Sequence, residues 1–421
     1  MSDEMIVPEF VQDAFTRFER DPVTVQVDGA AERLPDHAME MRGTARKFAR
    51  EWVSPIAREI DESNEIPESL WSALGEQGYF GLAIPKEYGG RGSVLDTCLA
   101  VEEISRVSAG IGLLVSVGLL GPAGLVLGGT QGQKDHWLPI LASGEFSSFC
   151  LTEPEAGTDA ASLSTMVRHT GDAFELTGRK HYITGAGRSA LYTVFARSGD
   201  GKYEMTAMLV PAGAAGFSVS GRHPFSGIRG VPVGELNFAE VELPDEARLG
   251  EKGRGFQLAL SILDRARPGI SAQALGLAQG ALDAAFSYLE HRVQFGSPLL
   301  DRDVVRHRLA RHAASIAAGR QLTYHAAMLA DSGSPSLNAA ASMAKLFCTD
   351  LAMAVATDAM QFWGGAGYMK GSPVERMYRD AKIMQIYEGT NEIQEVVISR
   401  ALVRDFRSSM ESLNSKSSEV S

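Results

Sequence analysis

The 421-residue sequence predicts an α+β multi-domain protein. An N-terminal helical domain is expected over residues 37–148, a small central antiparallel β domain over 149–250, and a C-terminal domain resembling a four-helix bundle over 251–407. Three observations predict it. Apolar residues recur at helical spacing up to about residue 146, short runs of β-formers between glycine turns continue to Val241, and long helical patterns return beyond Gly255. Helices, then strands, then helices is not the alternating βα order of a doubly wound nucleotide-binding sheet, so any dinucleotide is held by other means.

Residues 1–36 read as an extension with Pro8, Pro22 and Pro35 and no sustained period. Within it Phe10, Val11, Phe15 and Phe18 are spaced as one short amphipathic turn able to dock on a partner surface. Met41, Ala45, Phe48, Trp52 and Ile56 then form one helical stripe, and helical patterning continues over 70–74, 99–108 and 111–127. Strands are expected at 149–151, 174–177, 180–184, 192–195, 205–210, 217–219 and 236–241. Leu275, Ala278, Leu282, Phe286 and Leu289 line the face of a long helix, with further helices across 304–330 and 337–363. Pro268 marks a helix interruption, and the Ser/Glu/Lys-rich stretch 408–421 reads as a disordered tail.

Composition narrows the function. With 44% hydrophobic and 22% charged residues the chain is ordinary for a soluble globular protein, and no run of 18 apolar residues suggests a membrane span. Its acidic start lacks the basic-then-apolar order of a signal peptide. Cys98, Cys150 and Cys348 show no metal-ligand spacing, which fits a cytoplasmic protein without disulfides or a metal site. A formal net charge of -12 disfavours a nucleic-acid partner, because duplex binding rests on neutralising phosphates.

Several positions can carry chemistry. Thr152 ends a strand and is followed by Gly157, Thr158 and Asp159, a loop whose backbone donors and hydroxyl suit a flat polar ring, or which is an ordinary bulge loop. Tyr182 and Thr184 share one strand face, as an aromatic plane beside a hydroxyl or as a surface pair. Arg292 closes a long helix before Gly296-Ser297-Pro298, where it pairs with a phosphate or caps the dipole. Gly364, Gly365 and Gly367 follow a helical pattern and not a strand, so they form a C-cap turn and no Rossmann fingerprint. Glu388, within Ile386-Tyr387-Glu388-Gly389-Thr390-Asn391-Glu392-Ile393-Gln394, is either a helix-entry acid favoured by the dipole or a base.

That run follows the turn Gln361-Phe362-Trp363-Gly364-Gly365-Ala366-Gly367-Tyr368 and the stretch Val374-Glu375-Arg376-Met377-Tyr378-Arg379-Asp380-Ala381-Lys382, with Cys150-Leu151-Thr152-Glu153-Pro154-Glu155-Ala156-Gly157-Thr158-Asp159 far upstream. Together, and in this order, these stretches resemble the acyl-CoA dehydrogenase family of flavoproteins, over about residues 37–405. The resemblance implies that family's fold and FAD as cofactor. Thr152 and Thr184 would bond the flavin near its pyrimidine edge and N5, and Tyr182 would cover one side, where the family more often has tryptophan. Phe149, Leu151, Thr158, Ile183, Thr390 and Glu392 would complete the shell. Arg292, Gln294, Phe295, Gln361, Gly364 and Gly365 would hold the FAD diphosphate of a neighbouring subunit, which makes a homotetramer the expected assembly. The chain departs from the family at Arg302-Asp303, Arg311 and Gly371. Thr158, Asp264, Arg267, Tyr387, Gly389 and Arg400 would contact the thioester ligand, and Glu388 would remove its α-proton, as in the branches that place the base here and not on an earlier helix.

The implied activity is α,β-dehydrogenation of an acyl-CoA in fatty acid metabolism, with an electron-transferring flavoprotein as acceptor. A thioester on an acyl-carrier protein differs only at the pocket mouth. A flavin oxidase or monooxygenase on the same fold differs in oxygen access and, for the latter, often lacks the base. A non-enzymatic DNA-associated flavoprotein would show a basic face, against the -12 balance.

Overall fold

The computed structural model describes residues 12–16, 25 and 34–418, with side chains to residue 411. Most of the N-terminal extension, with Phe10, Val11 and Phe18, lies outside the described residues. Phe15 is buried and stacks on Trp363 at 5.8 Å, so this part of the extension packs on the chain's own C-terminal helices.

The N-terminal region holds α1 (Asp36–Phe48), α2 (Ala57–Ser63), α3 (Glu68–Glu76), α4 (Val94–Ser105), α5 (Ala109–Val117), α6 (Ala123–Gly128) and α7 (Gln131–Ala142). Hydroxyl caps decide where several of them start. Ser93 Oγ accepts from Asp96 N–H, Ser108 Oγ from Ile111 N–H, and Thr130 forms a reciprocal capping box with Gln133, each satisfying amide donors left open in a first turn. Ser108 therefore separates two helices that periodicity alone runs close together. Trp52 does not share the core stripe of Met41, Ala45 and Phe48: it is 41% exposed. The chain takes π-helical pitch over Ala49–Val53, and the wider turn rotates Trp52 off the buried face.

The middle sheet contains β1 (Phe146–Cys150), β2 (Met166–Thr170), β3 (Ala173–Thr184), β4 (Ser189–Arg197), β5 (Met205–Pro211), β6 (Phe217–Arg222), β7 (Val233–Pro244) and β8 (Arg248–Leu249). Its order is β6-β7-β3-β2-β4-β5-β8, with β1 beside β4. Most pairings are antiparallel, but β1 and β2 both meet β4 in parallel. The sheet begins at Phe146, three residues before the expected boundary at 149. The two strands expected at 174–177 and 180–184 are one, since Gly178, at φ 146°, carries the chain through the register shift between Leu176 and Gly178.

The C-terminal region is built from α8 (Gly255–His291), the two-residue strands β9 (Val293–Gln294) and β10 (Ser297–Pro298), α9 (Asp303–Asp331), α10 (Leu337–Trp363), α11 (Pro373–Met384) and α12 (Asn391–Ser418). Pro268 does not interrupt α8, which runs through it for 37 residues. The surrounding residues 266–285 are buried throughout, so packing offsets the one lost backbone hydrogen bond. Across the stretch expected as a disordered tail, α12 continues to Ser418, free of proline and glycine, and residues 419–421 lie outside the described residues. Helix α10 is long and apolar enough to cross a membrane by length and composition alone, yet Ala341, Ala344, Cys348, Ala352 and Ala356 are buried inside the bundle.

The helical regions share one core. Residues from α1, α4, α5, α8, α9 and α10 belong to a single buried cluster that also takes in Leu151 and Phe195 of the middle domain. Buried ion pairs cross it: Arg42 Nε donates to Glu103 at 2.8 Å, and Arg320 Nε and Tyr324 Oη donate to Glu102 at 2.7 and 2.6 Å. These contacts tie α4 to α1 on one side and to α9 on the other.

Candidate active site

One cleft of about 480 Å³ opens where the three regions meet. The sheet contributes Thr152, Pro154, Gly157, Thr158, Tyr182, Thr184 and Val233; Phe225 and Ile228 come from the β6–β7 connection, Leu113 from α5, and Ile383, Ile386, Tyr387, Glu388, Gly389 and Thr390 from the end of α11 and the turn before α12. Apolar walls with a few convergent polar groups are the usual make-up of a small-molecule site.

The turn that carries Glu388 follows from its backbone. Helix α11 ends at Met384, Asn391 N–H donates to Gln385 O at 3.0 Å, and between them Glu388 and Gly389 adopt φ 53° and 92°. A left-handed glutamate is uncommon, and it persists only where its surroundings hold it. Several groups do so. Lys345 Nζ and Gln394 Nε2 donate to Gly389 O at 2.9 and 2.8 Å, and Arg267 Nε reaches Glu388 O at 3.5 Å. Neighbouring Tyr387 donates its hydroxyl to Gln273, whose amide donates to Ala109 O at 2.8 Å, which locks the turn to α8 and α5.

The Glu388 residue is half-buried, but its carboxylate oxygen Oε2 is enclosed with no hydrogen-bond partner. Burial pushes its pKa up to about 7, against the opposing pull of the Arg267 and Lys345 cations. An enclosed, unpartnered carboxylate that titrates near neutral pH, facing a cleft, is suited to accept a proton.

Across the cleft, Thr152 and Thr184 bring their side chains to the sheet edge, and Tyr182, 55% exposed and left-handed at φ 56°, stands at the rim. The two segments are pinned by a buried ion pair: Lys180 Nζ donates to Glu153 at 2.7 Å and to Leu151 O at 3.0 Å, and His181 N–H donates to Thr152 O at 2.8 Å. Glu153 also accepts from Ser164 N–H and Oγ and from Thr165 N–H, and the Lys180 charge helps hold its carboxyl down at about 2 despite burial. At Gly157, which lines the cleft, an added Cβ would meet nothing within 4 Å.

Not every expected site residue reaches the cleft. Thr152, Thr158, Tyr182, Thr184, Tyr387, Glu388, Gly389 and Thr390 come together there. Ile183 does not, because strand alternation turns its side chain into the core behind the sheet. Phe149 tilts against Phe195 at 5.0 Å, and Leu151 is buried in the main core. Asp264 and Arg267 pair on α8 at 2.6 Å, with Arg267 behind the Glu388 turn and Asp264 also held by Asn338. Glu392 and Arg400 are exposed on α12, where Arg400 lines a surface groove with Arg404 and Arg407. Arg292, Gln294, Phe295, Gln361, Gly364 and Gly365 lie away from the cleft, at the joined ends of α8 and α10, where Tyr288 stacks on Trp363 at 4.5 Å. Phe295 there is 94% exposed.

Sequence reasoning gave no role to Glu153, Lys180 or Lys345. A lysine among Ala341, Ala344, Cys348 and Ala352, on the buried stripe of α10, is the kind of signal that singles one out. Leu113, Ile228, Val233 and Ile383 carry no such signal, since an apolar cleft wall and an apolar core residue look alike in sequence.

Comparison with known proteins identifies the fold and the family. Family models for the acyl-CoA dehydrogenase N-terminal, middle and C-terminal domains match residues 35–145, 148–241 and 253–403. The chain is 41% identical to the acyl-CoA dehydrogenase of Bacillus subtilis over 370 residues, covering 86% of this chain and 97% of that one. Butyryl-CoA dehydrogenase from Megasphaera elsdenii superposes with a TM-score of 0.86 at 37% identity, covering 88% of this chain and 99% of the other. A glutaryl-CoA dehydrogenase from Mycobacterium smegmatis, solved in complex with FADH2, gives 0.83 at 29% identity, covering 89% and 96%. The chain belongs to the acyl-CoA dehydrogenase family of FAD-dependent oxidoreductases.

Proposed function

We propose that this protein dehydrogenates an acyl-CoA to its trans-2-enoyl product with Glu388 as the α-proton acceptor. The observation that carries the reading is the enclosed, unpartnered Glu388 Oε2 on a left-handed turn that lines the cleft, and burial pushes its pKa up to about 7. The reactive form is the ionised carboxylate, and its raised basicity favours proton uptake. Thr152, Thr184 and Tyr182 fit the edge and face of a flavin, and the open loop at Gly157 and Thr158 leaves room beside them. FAD, when bound, supplies the acceptor for the β-hydride. The Glu388 backbone N–H would donate to the thioester carbonyl and stabilise charge that develops on that oxygen. Leu113, Ile228, Val233 and Ile383 provide a dry wall for the acyl chain, and removing water strengthens each polar contact inside.

The resemblance supports the wider setting. A homotetramer brings the exposed edge formed by Arg292, Gln294, Phe295, Gln361, Gly364 and Gly365 to a neighbour's FAD, an electron-transferring flavoprotein takes up the electrons, and the protein works in fatty acid metabolism; the cytoplasmic setting rests on its three scattered cysteines alone. Anaerobic titration of the flavoprotein with acyl-CoAs of graded chain length and branching tests the activity. Bleaching of the flavin by at least one of them is expected. A flavin that stays oxidised with every acyl-CoA and bleaches only with a carrier-bound thioester would overturn the CoA assignment.

A further inference from the structure

We infer that Lys345 is a positioning residue for the base: from α10 it holds the left-handed turn that presents Glu388 and sets a cation beside the enclosed carboxylate. The inference deepens the reading of Glu388 as proton acceptor and rests on it.

Lys345 is fully buried, yet its hydrogen bonds go to uncharged acceptors, Gly389 O at 2.9 Å and Asn391 Oδ1 at 2.8 Å. A buried ammonium is costly without a counter-charge. Its location adds to the cost, because Asn391 opens α12 and the N-terminal end of a helix repels cations. The Gly389 carbonyl that accepts from Lys345 adjoins Glu388, and the Glu388 charge is foremost among those that favour the ammonium. The charges that act on Lys345 include Glu388 from the turn, Arg267 from α8, Asp350 from α10 and Glu392 from α12. Glu388 faces Arg267 and Lys345. Lys345 thus has only neutral hydrogen-bond acceptors and Glu388 Oε2 has none, and the two residues meet on one turn through the Gly389 carbonyl.

The mechanical part is equally specific. Two consecutive left-handed residues turn the Gly389 carbonyl inward, where it accepts from both Lys345 and Gln394. Asn391, the other acceptor of Lys345, is fixed by Thr349 and Asp350 of the same helix. Lys345 thus ties the turn to α10 on both sides of Thr390. Burial brings its own pKa down to about 8 against the pull of the neighbouring carboxylates.

The test uses FAD-loaded enzyme with Lys345→Met, which removes the charge, and Lys345→Arg, which keeps it. Two readouts are followed against pH: the rate of flavin reduction by an acyl-CoA, and the carboxylate infrared band that Glu388→Gln removes. In Lys345→Met both midpoints should move up by about one unit, the low end of what one neighbouring opposite charge contributes. Lys345→Arg should keep the wild-type midpoint. A Lys345→Met enzyme that is slower at every pH with unmoved midpoints would show a merely structural residue and overturn the inference. Should Lys345→Met fail to fold, the infrared midpoint of Lys345→Gln is read instead, and no shift there overturns it equally. Normal reduction by Glu388→Gln removes the base itself; a dead Glu388→Gln with an unshifted Lys345→Met removes only the role of Lys345.

Discussion

Replacing Lys180 by methionine asks whether one buried ion pair fixes both cofactor-facing segments of the sheet. Lys180 is completely buried and Glu153 is 2% exposed, so neither charge is screened by water. Removing the ammonium leaves the Glu153 carboxylate with the Ser164 and Thr165 donors but no counter-ion, and frees Leu151 O of its 3.0 Å bond. Breaking a buried pair on one side costs about 3–5 kcal/mol, several times an exposed pair. The pH dependence has a definite sign. In the wild type Glu153 is held at about 2, so its stabilisation is present above the ordinary carboxyl range and is lost only as pH falls through about 2. Without Lys180 that carboxyl rises, and once protonated it no longer needs the cation. The penalty is therefore full at neutral pH and shrinks on acidification. Urea unfolding of the flavin-loaded enzyme near pH 7 and near pH 4.5, with flavin release followed in parallel, measures both effects. A loss below about 1 kcal/mol, within the surface-pair range, or an identical loss at the two pH values would refute the reasoning.

Other expectations follow from the same geometry. The acid limb of kcat/KM should have a midpoint near 7, with activity lost as pH falls below it, and Arg267→Met should move the midpoint up because Arg267 is the largest charge favouring the ionised Glu388; a limb near pH 4.5 would refute this. Arg292→Ala should lower flavin content and tetramer population together, since a ligand bound only by the assembled state stabilises it by mass action. Full FAD occupancy in a stable monomer would contradict it. Phe15→Ala, which empties a buried site against Trp363, should cost about 3–5 kcal/mol in denaturant unfolding, and a cost below about 1 kcal/mol would mean the extension is not docked in solution.

Long helices were legible in sequence because their apolar stripes span many turns, as Leu275, Ala278 and Leu282 do on α8. Strand β2 was not, since only Val167 of its five residues is buried and alternation cannot be read from one position. Pro268 misled because local backbone chemistry disfavours it within a helix, whereas its cost here is met by packing that only the fold reveals. At the site, the motif residues Thr152, Tyr182, Thr184 and Glu388 could be named in advance, but three segments far apart in the chain had to be folded before they shared one cleft. Ile183 was assigned to the cofactor by its neighbours in the motif, and strand alternation places its side chain on the opposite face. Lys345 and Lys180 were unreadable in role because the cost of a buried cation depends on what stands beside it.

The most direct test of the central claim is anaerobic stopped-flow reduction of Glu388→Gln, using an acyl-CoA that bleaches the wild-type flavin. Glutamine keeps the volume of the side chain and removes the proton acceptor. FAD and acyl-CoA should still bind, while the rate of flavin reduction falls by at least about 100-fold, the lower scale for a general base. Near-normal reduction by the variant would contradict the assignment of Glu388 and move the base to another acid.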